Sequence, residues 1–174
     1  CLVAVGLFAT VAFNVVLTQN QFRLDRLNDR ATAEQTRYQR LRLQVAELGH
    51  WFRDSELKLW SLHSPMYMDE IWGRSGPHSH ISITETTKAR RFEMVDEIKR
   101  ALEVAETIPF KYLIQHMGVS GEEFDMRKVD AAFSALEQIS IFAGQRGVEV
   151  LLENIPNDLS SAERLLQFED LTHL

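Results

Sequence analysis

The sequence predicts an α/β fold in which three parallel strands alternate with helices, preceded by a long N-terminal helix. Residues 1–48 carry an apolar run and then a heptad repeat, both of which are typical of a helix. From residue 56 onward, short segments with the period of a strand alternate with longer segments with the period of a helix. That alternation indicates parallel βαβ units, which need helices to cover the sheet.

The two parts of the chain differ in charge. The 174 residues include 19 basic and 25 acidic side chains, a net charge of −6, and residues 1–49 hold six of the basic and four of the acidic ones. The remainder therefore carries a net charge of −8. Because non-specific nucleic-acid binding depends on Lys and Arg that neutralise phosphates, we expect no nucleic-acid partner. Cys1 is the only cysteine, so the sequence contains neither an internal disulfide nor a CxxC zinc motif.

Residues 1–18 predict a transmembrane helix. The run from Cys1 to Leu17 is almost wholly apolar, and the first charged residue is Arg23. At about 1.5 Å per residue a helix of this run is roughly 26 Å long, slightly less than the apolar core of a bilayer. We interpret the run as a membrane span that is truncated at its start, with a signal-peptide core or a buried helix as alternatives. The chain is expected to be membrane-anchored if this run is genuine, and its second part is otherwise expected to be cytoplasmic.

Residues 19–49 predict a coiled-coil helix. Arg23, Arg30 and Arg37 occupy the g positions and Arg42 an e position, so a parallel homodimer would set Arg37 against Arg42 of its twin. We therefore predict a heteromeric partner with acidic e positions that binds residues 20–48. An amphipathic helix that packs on its own domain is the alternative. The a positions are Leu24, Ala31, Tyr38 and Val45, and the d positions are Leu27, Glu34, Leu41 and Leu48.

The apolar run and the heptads together resemble bitopic cell-division proteins of the septum-formation-initiator type. This resemblance covers residues 1–48 and implies a membrane-anchored coiled-coil scaffold. The pattern changes near residues 45–50, where no strand precedes the helix. We hypothesise that two gene pieces are joined there, either in a true fusion or as an assembly artefact.

Three βα units follow in residues 50–174, which we assign to one domain. Strands are predicted at 57–63, 110–116 and 148–153. Helices are predicted at 87–106, after an N-cap at Asp125, and at 162–168 after a capping box of Ser160 and Glu163. The predicted buried stripes are Phe92, Val95, Ile98, Leu102 and Ala105 in the first helix, and Val129, Phe133, Leu136, Ile139 and Ala143 in the second.

His63, His116 and Glu153 end the three predicted strands. Parallel strands are about 4.8 Å apart and their carboxyl ends meet at one edge of the sheet, so the three side chains can share an ion. Imidazole nitrogen and carboxylate oxygen suit Zn²⁺ or Mn²⁺, and Mg²⁺ remains open. Taken singly, His63 fits a turn, His116 a core histidine and Glu153 a loop acceptor. Their joint placement favours a metal site.

The runs 61–65, 114–118 and 151–154, with Arg90 and Arg91 near the start of a helix, resemble the xylose isomerase-like TIM barrels over residues 46–174. This superfamily includes sugar phosphate isomerases and epimerases and the family 2 apurinic (AP) endonucleases. The resemblance implies a partial (β/α)8 TIM barrel whose metal ligands are His63, His116 and Glu153.

For the sugar branch, the resemblance implies proton transfer on a sugar, with Glu153 as a ligand and the catalytic base. For the nuclease branch it implies phosphodiester cleavage, which the acidic charge disfavours. His78, His80 and Asn154 are weaker candidates for substrate binding. Family members carry further Asp, His and Glu ligands on later strands, and this chain ends at Leu174, so we expect it to be inactive by itself.

Overall fold

The computed structural model describes the backbone of residues 2–68 and 80–172, and within those ranges the side chains of residues 18–170. The chain divides into two compact units, Cys1–Glu47 and Leu48–Leu174. The division lies close to the predicted change of pattern at residues 45–50.

A single helix, α1, runs from Leu2 to Asp54. A helix therefore forms over the predicted residues 19–49, and it continues to Asp54. Along the first unit its heptad side chains are exposed, with 64% of Leu24, 53% of Leu27 and 47% of Leu41 accessible to solvent. Within the part of the chain whose side chains are described, no helix contains a stretch long and apolar enough to cross a membrane. The span predicted at 1–18 falls almost entirely outside that part.

The second unit is built on a three-stranded parallel sheet. Strands β1 (Ser61–His63), β2 (Tyr112–His116) and β3 (Glu149–Glu153) lie in the order β1-β2-β3. Helix α2 (Lys88–Leu102) continues as a 3-10 turn (Glu103–Glu106), and α3 (Met126–Gly144) and α4 (Ala162–Thr172) complete the unit. The α/β prediction with parallel strands is confirmed.

Alternation along the strands gives the sheet one buried face. Leu113 and Val150 point into a core shared with Ile98 of α2 and Leu136 of α3. The other face is partly open, and 37% of Leu151 is exposed there. Because residues i and i+2 of a strand share a face, the last residues of β2 and β3 belong to this open face.

The predicted burial of two core residues, Phe92 and Phe133, is wrong. Phe92 is 61% exposed, and Met94 is buried in its place, where its sulfur accepts a hydrogen bond from Ser82 N at 3.4 Å. The loop before α2 supplies core residues of its own, which helix periodicity does not reveal. In α3, Phe133 is 37% exposed, and small residues (Ala131, Ala132 and Ala135) are buried where the helix packs.

The helix starts test the predicted caps. Asp125 caps α3 as predicted, because its side chain accepts from Arg127 N at 2.9 Å. Hydrogen bonds from the Arg127 side chain and backbone lower the pKa of Asp125. The predicted capping box is wrong: α4 begins at Ala162, and the hydroxyl of Ser160 donates to Ile155 O at 2.8 Å. Ser160 therefore fixes the loop before the helix.

The first strand is shorter than the predicted 57–63. Glu56 adopts a left-handed φ of 58°, which ends the segment after α1, and 56% of Leu57 is exposed. Gly49 lies within α1, where a Cβ atom would come within 3.0 Å of Thr107 Cγ2. Glycine therefore allows the last turns of α1 to approach the segment that precedes β2.

Burial in α3 predicts a contrast between two isoleucines. Ile139 is fully buried, whereas Ile141 is 61% exposed in the same helix. Ile139→Ala should lower the free energy of unfolding by about 2–5 kcal/mol, because it leaves a cavity. Ile141→Ala should change it by less than about 0.5 kcal/mol. Urea unfolding followed by circular dichroism measures both, and equal losses would contradict the assigned core.

Candidate metal centre

The sheet register places the three predicted site residues on one face. His116 is directly opposite Glu153, and His63 is opposite Ile114, two residues before His116 on the same face of β2. The backbone of His63 therefore lies two residues nearer the amino ends of the strands than His116 and Glu153. Its side chain extends along the strand direction to reach them.

Three donor atoms converge at this edge. The Nε2 atoms of His63 and His116 are 3.1 Å apart. Glu153 Oε2 is 3.2 Å from Nε2 of His116 and 3.3 Å from Nε2 of His63. The two imidazole rings meet edge to face, with centroids 4.6 Å apart. We call His63, His116 and Glu153 the triad.

A backbone carbonyl fixes the His63 tautomer. Nδ1 of His63 is 2.8 Å from the carbonyl oxygen of Ser64, which can only accept, so Nδ1 is the donor. In the neutral ring Nε2 then carries the lone pair, and that lone pair lies on the side of the triad. A hydrogen bond to the distal ring nitrogen is the usual support of a metal-bound histidine.

The triad fits a divalent ion. Ligand atoms about 2.0–2.2 Å from an ion, at angles between those of an octahedron and a tetrahedron, are about 2.8–3.6 Å apart. The three distances in the triad, 3.1, 3.2 and 3.3 Å, lie in that range. Two nitrogens and one oxygen favour zinc or manganese over magnesium, which prefers oxygen ligands.

The site is open on its outer side. The side chains of His63 and Glu153 are 40% and 46% exposed, whereas that of His116 is 22% exposed. Three protein ligands leave further coordination positions for a substrate or water, as in catalytic zinc sites. The arrangement therefore combines a set of donors with access from solvent.

The weaker candidates lie elsewhere or outside the described residues. His80 forms an isolated antiparallel bridge with Tyr67, with ring centroids 4.7 Å apart, and is not a member of the triad. Asn154 is exposed and directly follows Glu153. His78 lies outside the described residues. A substrate contact by any of them stays a prediction.

A separate polar cleft lies beside the starts of α2 and α3. It is lined by Thr86, Thr87, Arg91, Arg127, Asp130 and Ala131, and none of these belongs to the triad. Both of its arginines have partners: Arg91 donates to Glu85 O at 2.6 Å, and Arg127 forms an ion pair with Asp125 at 2.7 Å. The cleft therefore offers no free cation to an anionic ligand.

Sequence reasoning missed the side chains that join the loops behind the triad. Glu122 and Asn157 bond across three βα loops. Asn157 also accepts from Leu159 N at 2.9 Å, a local Asx turn whose residue type can be recognised in a sequence. The bonds between loops have no signal in a single sequence.

Comparisons with known proteins identify the fold. No protein-family model matches the sequence, and no curated protein matches it. Among solved structures, the chain is similar to a D-tagatose 3-epimerase-like protein, with 21% identity and a TM-score of 0.55 over 71% of this chain and 44% of that one. A xylose isomerase domain protein from Planctomyces limnophilus matches with 17% identity and a TM-score of 0.52, over 73% of this chain and 45% of that one.

The 3-keto-D-glucoside 4-epimerase of E. coli, in its apo form, matches with 15% identity and a TM-score of 0.53, over 74% of this chain and 51% of that one. The chain thus spans about half the length of these solved structures. The fold resembles part of a TIM barrel, as the sequence predicts. None of the three comparisons relates to the septum-formation-initiator resemblance.

The triad predicts one metal-binding site that depends on all three side chains. His63→Ala, His116→Ala and Glu153→Gln should each weaken Zn²⁺ binding by at least about 100-fold, because even residues that only support metal ligands are worth about 10–100-fold. His50→Ala is the matched control, since His50 is an exposed histidine on α1 that contacts Arg53. Competition with a chromophoric chelator measures the affinities. Equal affinity in the triad variants and the control would refute the site.

Proposed function

We propose that the second unit, Leu48–Leu174, is a metal-binding part of a sugar isomerase or epimerase-like TIM barrel. The observation that carries this proposal is the convergence of His63 Nε2, His116 Nε2 and Glu153 Oε2 within 3.3 Å of one another. The fold supports it, since TIM barrels carry their chemistry at the carboxyl ends of the strands, where the triad lies.

The triad offers the parts that proton transfer on a sugar requires. A bound divalent ion would polarise the carbonyl and hydroxyl oxygens of a ketose or aldose. His63 and His116 are ligands in this proposal, and Glu153 is both a ligand and the base that takes a proton from carbon. Glu153 faces both imidazoles through Oε2, and its 46% exposure keeps the carboxylate within reach of a substrate.

Sugars fit this site better than nucleic acid. The second unit carries most of the acidic residues of a chain whose net charge is −6, which disfavours a polyanionic substrate. The similar solved structures include a D-tagatose 3-epimerase-like protein and a 3-keto-D-glucoside 4-epimerase. Cleavage of phosphodiesters is the runner-up, because the same donor set can serve it. Further ligands on later strands are part of the proposal for a whole barrel.

Sugar binding at the metal can be tested without turnover. The full chain loaded with Mn²⁺ should shorten the proton and carbon relaxation times of a ketohexose. The effect should be strongest at the carbons beside the carbonyl and at their protons, because those nuclei would lie nearest the paramagnetic ion. His116→Ala should abolish the effect, and His50→Ala should retain it. Proton and carbon NMR relaxation at fixed Mn²⁺ concentration is the measurement.

An oligonucleotide with an abasic site serves as the competing ligand in the same experiment. Relaxation enhancement of the sugar alone supports the isomerase proposal. Enhancement confined to the protons and carbons beside the abasic-site phosphates would favour the phosphodiesterase function instead. Enhancement of neither, in a chain that binds Mn²⁺, would refute both.

For the first unit we propose a heteromeric coiled-coil partner with acidic e positions. The exposure of Leu24, Leu27 and Leu41 along α1 supports a free seam. Arg37 and Arg42 flank that seam and disfavour self-pairing by like-charge repulsion. The chain also presents a matched control, because Leu43 is 67% exposed but occupies an f position, off the seam.

The full chain should stay monomeric at neutral pH and low micromolar concentration, and it should bind a designed helix with leucine at a and d and glutamate at e and g. Leu41→Asp should weaken that complex by at least about tenfold, which corresponds to about 1.4 kcal/mol, whereas Leu43→Asp should leave it unchanged. Sedimentation velocity measures both states. A tight homodimer of the chain would contradict the proposal.

A further inference from the structure

Asn157 joins the loop after β3 to the loop after β2. Its Nδ2 donates to the carbonyl oxygens of Met117 at 2.9 Å and Val119 at 3.0 Å. Its Oδ1 accepts from the backbone N–H groups of Leu159 and Ser160, both at 2.9 Å. Both protons and the oxygen of the amide are therefore used, so the side chain has one orientation.

Glu122 joins the loop after β2 to the loop after β1. Its carboxylate accepts from Val119 N at 2.8 Å and from Thr84 Oγ1 at 2.9 and 3.0 Å, and it pairs with Lys128 at 3.3 Å. Thr84 is 1% exposed, and its hydroxyl lies 2.6 Å from that of Ser82. Since Thr84 donates to the carboxylate, it accepts from Ser82.

Both side chains meet at Gly118, two residues after His116. Gly118 has a φ of +89°, and a Cβ atom there would lie 2.5 Å from Glu122 Oε2 and 3.0 Å from Asn157 Nδ2. Glycine is thus required at position 118 for two reasons: its left-handed backbone, and the space that the two polar groups fill. Backbone bonds lie alongside, from Gly121 N to Pro156 O at 2.8 Å and from Asp158 N to Glu122 O at 3.0 Å.

We propose that Gly118, Glu122 and Asn157 form a clamp that positions His116 and Glu153 for metal binding. The three are positioning residues, since their contacts join the loops and the donor atoms of the triad belong to other residues. Asn157 holds the carbonyl of Met117, the residue after His116, from a loop that begins directly after Glu153. The clamp therefore ties the exit of β2 to the exit of β3, where both ligands leave the sheet.

The clamp matters because the triad has little packing of its own. The side chains of His63 and Glu153 are 40% and 46% exposed, so the packing around them is incomplete. Metal affinity depends on ligand geometry, and a shift of the β2 exit would move His116 away from its neighbours. A clamp that serves metal binding must change the coordination when it is disturbed, beyond any effect on stability.

The chain contains a control matched to Gly118. Gly121 lies in the same loop with a φ of +73°, yet a Cβ atom there would meet nothing within 4 Å. Gly118→Ala and Gly121→Ala thus introduce similar backbone strain, but only the first displaces Glu122 and Asn157. In the full chain, Gly118→Ala should weaken Zn²⁺ binding about 10–100-fold and alter the visible spectrum of bound Co²⁺. Gly121→Ala should keep the affinity within about twofold and the spectrum of the unaltered chain.

This inference rests on the proposed metal site, and the outcomes separate the two. If the unaltered chain binds neither Zn²⁺ nor Co²⁺, the metal site itself is wrong. If it binds both and the two glycine variants behave alike, the clamp alone is overturned. Should Gly118→Ala fail to fold by circular dichroism, Thr84→Val and Thr84→Ser decide instead. Valine removes the hydroxyl bond to Glu122 and should weaken Zn²⁺ binding, serine should restore it, and equal affinities would overturn the clamp.

Discussion

The arrangement of the second unit depends on the in-register pairing of three short parallel strands. Alternation along a strand and the parallel direction together decide that His116 and Glu153, which are far apart in sequence, lie side by side on one face. A slip of one residue in β3 would turn Glu153 to the helix-covered face and bring Leu152 to the open one. The packing of Leu113 and Val150 under α2 and α3 fixes that register, so the core determines which side chains form the triad.

Much of this organisation can be read from the sequence because it follows short-range rules. Apolar runs before a loop predict the strands that end at His63, His116 and Glu153. The position of Asp125 before an amphipathic helix predicts its role as an N-cap. The errors fall where tertiary packing overrides period. Phe92 fits the predicted apolar face of α2, yet its ring is 61% exposed, whereas Ile81 and Ile83 of the preceding loop are buried in the core.

The clamp could not be predicted for a related reason. A carboxylate such as Glu122 and an amide such as Asn157 look like ordinary loop residues in a single sequence, and their partners lie up to 40 residues away. Gly118 lies two residues after a strand end, where glycine is consistent with a left-handed turn, and its φ is +89°. The triad residues are recognisable because their chemistry is unusual, whereas the clamp residues are common types in unusual contacts.

The triad and the clamp represent opposite electrostatic situations. In the clamp, both N–H groups of the Asn157 amide donate to backbone carbonyls, and the Glu122 carboxylate accepts hydrogen bonds from N–H and O–H groups. The polar groups of this network are therefore satisfied. In the triad, two ring nitrogens and one carboxylate oxygen lie within 3.3 Å of one another. The lone pairs of His63 Nε2 and of the Glu153 oxygen repel unless a proton or a cation lies between these atoms. Such a cluster persists only if other contacts hold its backbone in place. In the proposed metal site, a fully hydrogen-bonded network beside the triad keeps the loops in place before an ion binds, so less binding free energy is needed to gather the ligands.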